Sequence, residues 1–176
     1  MKKIRHLFLF GLILLFSARV HAQVVIESAF SPDDRAEELI LEVIDASRES
    51  LRLAAYAFTS PPIMKKLIAA KKRGVDVKIV VDEKGNRSKA SRAAMNLMVN
   101  ADIPLRTVSS YRIHHDKYIV VDGKHVETGS FNYSQSAAKH NSENVVVIWN
   151  SPPIANRYLE HWQSRWAKGK DWKSEY

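Results

Sequence analysis

The residues best suited to chemistry lie in one short segment between His115 and Asp122. His115 and Lys117 are two positions apart, so in an extended strand their side chains would project from the same face. An ammonium can neutralise an anionic oxygen while the imidazole attacks phosphorus, and a nearby cation favours the neutral, nucleophilic imidazole. The segment therefore indicates a site for a phosphate ester, although a half-exposed strand with ordinary polar residues would give the same pattern.

Three polar residues further along the chain could complete such a site. Ser130 and Asn132 share the same two-residue spacing where a predicted strand turns into a helix, and a helix N-terminus there would aim free N–H groups at an anion. A capped turn would use the same residues. Glu143 precedes an apolar strand, where its carboxylate could accept a hydrogen bond from the second nitrogen of His115 and fix the tautomer. The alternative for Glu143 is a solvated strand end.

The spacing His115-x-Lys117-x4-Asp122, followed by Gly129-Ser130-x-Asn132, resembles the HKD signature of the phospholipase D superfamily. The sequence is most similar to the small exported, EDTA-resistant bacterial endonucleases that carry one HKD signature per chain. The similarity extends over essentially the whole chain after the N-terminal leader, including residues 54–59, 69–77 and 159–162.

This resemblance implies a metal-independent and cofactor-independent phosphodiesterase with a covalent phosphohistidine on His115. A second His115 would protonate the leaving oxygen and then activate water. Lys117, Ser130 and Asn132 would hold the phosphate, while Glu143 would orient the histidine. The expected function is a nonspecific endonuclease acting on DNA, with RNA left open. The alternatives are a phospholipase D acting on phosphatidyl esters and a non-catalytic nucleic-acid-binding protein.

The mechanism needs two HKD sets, but this chain contains one. His114 adjoins His115, so on a strand it would point to the opposite face. We therefore predict a two-fold symmetric homodimer with one active site on the axis. Asp122 belongs to the motif but lies in an Asp-Gly turn, facing away from the catalytic side; its expected role is to fix the hairpin.

The elements that must position these residues alternate between strand and helix. Apolar runs predict strands at 24–26, 51–58, 75–82, 118–121, 125–128 and 144–149. Helices are expected from an N-cap at Ser31, from Ser60 to Lys72, and over 90–99 and 153–167. Asp122-Gly123 predicts a two-residue hairpin turn. The pattern indicates an α/β fold, and the resemblance specifies a phospholipase D-like α/β sandwich whose mixed β-sheet is flanked by helices.

The N-terminus predicts export. A basic start, a ten-residue apolar run over 7–16 and small residues at Val20 and Ala22 are typical of a signal peptide spanning 1–22. A membrane anchor is the alternative, but a span needs about 20 apolar residues. We expect a periplasmic or secreted protein, with a single catalytic domain at 23–176 and no stable membrane anchor after cleavage.

Composition limits the chemistry further. The chain has no cysteine, which excludes thiol chemistry and cysteine metal sites. Residues 1–22 hold four of the 27 basic residues and none of the 19 acidic ones, so the remainder carries a formal charge of +4, compatible with a polyanionic partner. A basic stretch could track a nucleic-acid backbone or be a solvated loop: Lys84, Arg87, Lys89 and Arg92.

Overall fold

The computed structural model describes residues 23–174, which contribute eight strands and five α-helices. The strands are β1 Val25–Ser31, β2 Ser50–Ala55, β3 Asp76–Asp82, β4 Leu105–Val108, β5 Lys117–Val121, β6 His125–Gly129, β7 Glu143–Trp149 and β8 Lys170–Asp171. The helices are α1 Ala36–Ala46, α2 Pro61–Lys72, α3 Lys89–Asn100, α4 Gln135–Lys139 and α5 Pro152–Lys168, with a 3₁₀ turn at Lys84–Asn86. The predicted signal peptide, 1–22, lies outside the described residues.

All eight strands form one sheet in the order β1-β7-β6-β5-β2-β3-β4-β8. The pairs β2–β3 and β3–β4 are parallel, whereas the other pairs are antiparallel. One face packs a large apolar core against α1, α2 and α3, and the other packs a smaller core against α5. The prediction of a mixed sheet flanked by helices is therefore confirmed.

Helix α2 begins as predicted, but α1 does not. Ser60 caps α2 by accepting a hydrogen bond from the Ile63 N–H, and Pro61 occupies the first helical position. Ser31 instead ends strand β1, and its hydroxyl donates to the Ala137 carbonyl at 2.6 Å, so it is not available as a cap. Helix α1 consequently starts only at Ala36.

The hairpin between β5 and β6 forms as predicted, but three residues rather than two separate its strands, because Val121 pairs with His125. Asp122 and Gly123 both have positive φ angles, 52° and 61°, as an Asp-Gly turn requires. The Asp122 carboxylate accepts hydrogen bonds from the backbone N–H groups that lead into β2, at 2.8–2.9 Å: those of Arg48, Glu49 and Ser50. This contact ties the hairpin turn to the neighbouring strand.

Helix α5 closes the second core through its tryptophans. Trp162 is buried and donates from its indole nitrogen to the Leu53 carbonyl at 3.0 Å. Trp166 stacks on it with ring centroids 4.9 Å apart. Within the part of the chain that is described, no helix is both long and apolar enough to cross a bilayer.

Candidate active site

The predicted site residues come together at one edge of the sheet. Lys117 begins β5, Ser130 follows β6, and Glu143 begins β7, while the parallel strands β2 and β3 end at the same edge. Antiparallel pairing of β5, β6 and β7 places those three termini side by side. Sequence positions up to 26 residues apart therefore share one surface.

His115 lies before β5, so the prediction that it sits on a strand is wrong. The β2–β5 ladder ends at the pair Ala55–Lys117, which leaves no strand partner for residue 115. The chain is instead drawn toward β3, since the His114 N–H donates to the buried carboxylate of Asp82 at 2.8 Å. His115 is exposed as a result, as a nucleophile must be to reach a substrate.

Lys117 is almost fully buried, with 8 % of its surface exposed, and its ammonium donates to the His115 carbonyl at 2.9 Å. Burial lowers the pKa of Lys117, while the carboxylates of Glu143 and Asp116 act in the opposite direction. The lysine thus holds the backbone of the candidate nucleophile and places a cation among nearby carboxylates.

Tyr56, which follows β2, contacts both members of the motif. Its ring centroid lies 4.7 Å from that of His115 and 5.3 Å from the Lys117 ammonium, within range of a cation–π interaction. The buried Asn86 donates to the Tyr56 carbonyl at 2.6 Å. Gly85 lies so close that a Cβ there would be 2.8 Å from the Tyr56 ring. Sequence reasoning missed this support; its signal was the Gly85-Asn86 pair within the basic stretch.

Ser130 and Glu143 are joined directly. The serine hydroxyl donates to one carboxylate oxygen at 2.6 Å, and the Asn141 amide donates to the other at 2.9 Å. The Asn144 N–H in turn donates to the Ser130 hydroxyl at 3.0 Å. This close approach depends on Gly129, where a Cβ would lie 2.1 Å from the Asn144 carbonyl oxygen. Among residues 23–174, these are the hydrogen bonds of the Glu143 carboxylate, and none joins it to His115.

Asn132 is half-buried, and its side-chain oxygen is buried without a hydrogen-bond partner in the described chain. The helix expected at this point starts later, because Ser134 caps α4 and the helix begins at Gln135. The phosphate ligand expected at residues 130–132 therefore cannot be a helix N-terminus. At these residues a phosphate could be bound only by side chains and by backbone groups of the turn.

A cleft of about 410 Å³ opens beside His115 and Lys117. Its floor is formed by β5 and β6, and its far wall is the face of α5 that carries Arg157, Tyr158 and His161. Asp116 lies between, with one carboxylate oxygen 2.8 Å from the His161 imidazole and 3.3 Å from that of His114. His114 itself is buried, which lowers its pKa, although Asp116 and Asp82 oppose that shift.

The basic stretch, for which a nucleic-acid contact and a solvated loop are both open, has four exposed cations: Lys84, Arg87, Lys89 and Arg92. It contains the 3₁₀ turn that carries Gly85 and Asn86, so it borders the site next to Tyr56. Arg87 forms an ion pair with Glu83 at 2.7 Å. Within residues 23–174, no group of three or more histidine, aspartate or glutamate side chains is arranged to hold a metal ion.

Residues 40–166 match the family described as "Cardiolipin synthase, PLD-like domain". A phospholipase D from Rickettsia bellii is 36% identical over 143 residues, which cover 81% of this chain and 70% of the relative. The chain belongs to the phospholipase D superfamily. It is a phosphodiesterase of that superfamily, and the HKD resemblance is confirmed.

Two solved structures share the fold. Nuc from Salmonella typhimurium, a phospholipase D family member, superposes with a TM-score of 0.85 at 55% identity, covering 86% of this chain and all of Nuc. NucT from Helicobacter pylori superposes with a TM-score of 0.73 at 19% identity, over 85% of this chain and all of NucT. The second match supports the fold alone.

Proposed function

We propose that this phosphodiesterase is a metal-independent, nonspecific endonuclease that hydrolyses DNA through a phosphohistidine on His115. The observation that carries the proposal is the convergence of His115, Lys117, Ser130 and Glu143 at one sheet edge, beside an open cleft. The 55% identity to the whole of Nuc, a phospholipase D family member, supports the phosphodiester chemistry of this proposal. RNA contains the same phosphodiester and is a second substrate to test.

In the first step, an imidazole nitrogen of His115 attacks the phosphorus atom, and the bond from phosphorus to the leaving oxygen breaks. The leaving alkoxide takes a proton from a second His115, supplied by another copy of the chain. Lys117 and Asn132 stabilise charge on the non-bridging oxygens. The product is a phosphohistidine with a free hydroxyl on the departed strand.

In the second step, water attacks the phosphohistidine while the second His115 accepts a proton from it. The phosphorus–nitrogen bond breaks, and both histidines return to their starting states. The role proposed for Glu143 is to orient an imidazole, although within residues 23–174 its carboxylate bonds to Ser130 and Asn141 and not to His115 of the same chain. Ser130 fixes the carboxylate through its 2.6 Å hydrogen bond. Positive side chains supply the charge stabilisation that a metal would otherwise provide.

The second His115 requires a homodimer, and the sheet offers a surface for it. Helix α1 covers one face of β1 and β7, where alternate residues such as Ala29 and Val147 are buried. On the opposite face Ile26 and Phe30 are 66% and 56% exposed, and Ile26 pairs across the strands with Ile148. Apolar patches of this kind on an edge strand mark an interaction surface.

This apolar face reaches the cleft. Val146, on the same face of β7, pairs with Thr128 of β6, and Thr128 lines the cleft beside His115. A second copy seated on the apolar face would therefore lie next to the site. We propose that this second copy is its occupant, related by a two-fold axis.

A phospholipase D acting on phosphatidyl esters is the second candidate, favoured by the names of the Rickettsia relatives. The cleft favours nucleic acid, since its lining includes the basic side chains of Lys117 and Arg157, which suit a polyanionic backbone. Hydrolysis of plasmid DNA, RNA and phosphatidylcholine vesicles, side by side in EDTA, separates the candidates. We expect DNA cleavage that His115→Ala lowers by about 10⁴- to 10⁶-fold. Choline release with intact DNA would establish the lipid reaction.

Mixing wild-type chains with His115→Ala chains tests the shared site. If one site needs both histidines, only dimers of two wild-type chains are active. An equal mixture, after subunit exchange, then retains about one quarter of the activity of wild-type protein at the same total chain concentration. Two independent sites would retain about one half. A monomer in sedimentation equilibrium at assay concentration, with full activity, would contradict the dimer.

We also propose that residues 1–22 are removed on export, leaving a catalytic domain from residue 23. N-terminal sequencing of the protein recovered from the periplasm or medium should begin at Gln23. Recovery of the intact chain in the membrane fraction would instead support an anchor.

A further inference from the structure

Helix α5 forms one wall of the cleft, and none of its side chains there belongs to the HKD motif. Arg157 and His161 are four residues apart, so they project from the same side of the helix, and Tyr158 lies beside them. These side chains face the β5–β6 floor on which Lys117 begins. The wall therefore stands next to the reacting phosphate without belonging to the motif.

Two of these side chains are held in place by the protein itself. The Tyr158 ring packs edge-on against Tyr118, with centroids 4.9 Å apart and a 73° angle between the rings. The His161 imidazole lies 2.8 Å from Asp116, whose carboxylate is also 4.0 Å from Arg165. The Asp116 carboxylate is thus already in contact with neighbouring side chains of the cleft.

Arg157 differs from them. It is exposed, and within residues 23–174 it has no hydrogen bond or ion pair. A guanidinium at the rim of a cleft, free of carboxylates and beside a fixed aromatic ring, suits a phosphate flanked by a sugar or a base. A cleft of about 410 Å³ also falls in the range that holds a whole small ligand rather than one phosphate group.

We propose that Arg157, with Tyr158 and His161 beside it, binds the phosphate adjacent to the one that His115 attacks. The inference rests on the proposed nuclease function and narrows its substrate to a polynucleotide with at least two neighbouring phosphodiesters. Arg157 contacts the nucleic-acid backbone in this scheme and takes no part in bond breaking.

A substrate-length series tests the subsite. Wild type, Arg157→Gln and Lys72→Gln are assayed on thymidine dinucleotides, trinucleotides and longer oligonucleotides. Lys72 is an exposed cation on α2, on the opposite side of the sheet from the cleft. Lys72→Gln is therefore the control, because it removes one positive charge as Arg157→Gln does, but away from the cleft. For wild type and Lys72→Gln we expect kcat/KM to rise about fivefold when a second phosphodiester is added. For Arg157→Gln we expect no such rise, because its KM for trinucleotides and longer substrates should be higher than that of wild type.

Salt dependence gives an independent measurement. Removing one phosphate contact should reduce the slope of log KM against log salt by about 0.7 on single strands. The Lys72→Gln slope should match wild type.

The outcomes separate the two proposals. If wild type cleaves every length equally well, or Arg157→Gln keeps the full length dependence, the subsite is wrong while the nuclease function stands. If wild type cleaves no nucleotide of any length and hydrolyses phosphatidylcholine vesicles, the proposed function itself fails.

Discussion

The Ser130 hydroxyl donates a 2.6 Å hydrogen bond to the Glu143 carboxylate, joining the end of β6 to the start of β7. The same hydroxyl accepts from the Asn144 N–H at 3.0 Å, so the serine is fixed from both sides. Its hydrogen is committed to the carboxylate. We therefore expect Ser130 to support a phosphate site mainly by positioning Glu143.

Ser130→Ala should lower kcat/KM by about 10- to 100-fold, since a hydrogen bond to a charged group is worth about 1.5–3 kcal/mol. Plasmid cleavage in EDTA measures the effect. Ser136→Ala, an exposed serine on α4, is the control and should match wild type. Unchanged kcat/KM in Ser130→Ala would show that Glu143 needs no such support.

Asp122→Asn should destabilise the fold by about 1–2 kcal/mol while lowering kcat less than threefold. Asparagine tolerates the positive φ of residue 122 but loses the charge that accepts three backbone hydrogen bonds. Urea denaturation gives the free energy of unfolding. Asp102→Asn is the matched control, because Asp102 has a φ of 57° and its substitution should change stability by less than about 0.5 kcal/mol. A large loss of kcat with normal stability would assign Asp122 a chemical role.

Glu127 should make stability fall with rising pH. It is fully buried against the Tyr133 hydroxyl at 2.7 Å, and burial raises its pKa to about 8 from an ordinary 4.5, with the tyrosine hydrogen bond opposing the shift. Between those values the folded state holds a proton that the unfolded state has lost. Stability from this group is therefore complete below pH 4.5 and declines by up to about 1.4 kcal/mol per pH unit until pH 8.

Glu127→Gln removes this titration and keeps an acceptor for Tyr133. Unfolding free energies at pH 5, 6.5 and 8 should fall less steeply in the variant than in wild type. Because all other titratable groups are common to both proteins, the difference between the two curves isolates Glu127. Parallel curves would mean that Glu127 is ionised in the folded protein.

Tyr56→Leu should lower kcat by about three- to thirtyfold, because the ring contacts both the His115 imidazole and the Lys117 ammonium. Tyr56→Phe keeps the ring and should retain nearly full activity. Circular dichroism and thermal unfolding check that both variants fold. Equal losses in the two variants would assign the effect to the hydroxyl group instead.

Local sequence signals predicted much of the fold. Helix α2 has an N-cap at Ser60 that the sequence predicts, and the Asp-Gly pair predicts the β5–β6 hairpin. Strand β4 has four residues and β8 only two, too few for hydrophobic periodicity to stand out. The N-cap prediction at Ser31 is wrong because its hydroxyl bonds to Ala137, more than 100 residues away, a contact that no local pattern encodes.

Motif spacing predicts the candidate site residues that a motif contains, but not the neighbours that only the fold brings to them. Lys117, Ser130 and Glu143 meet as expected, since strand pairing brings their motif segments to one edge. The cleft wall on α5 follows from the packing of a distant helix, and Arg157 carries no spacing that marks it. Asn86 looked like part of a solvated loop because its partners, Tyr56 and Phe58, lie about 30 residues earlier.

Position 129 is unusually sensitive to substitution. Any side chain there would collide with the Asn144 carbonyl and separate the strands that hold Ser130 and Glu143. A saturation mutagenesis screen scored only by activity would consequently rank this glycine alongside the proposed nucleophile His115, although it has no side chain that could react. Loss-of-function maps of this enzyme should thus be read together with abundance, since a backbone without a side chain can mimic a catalytic group.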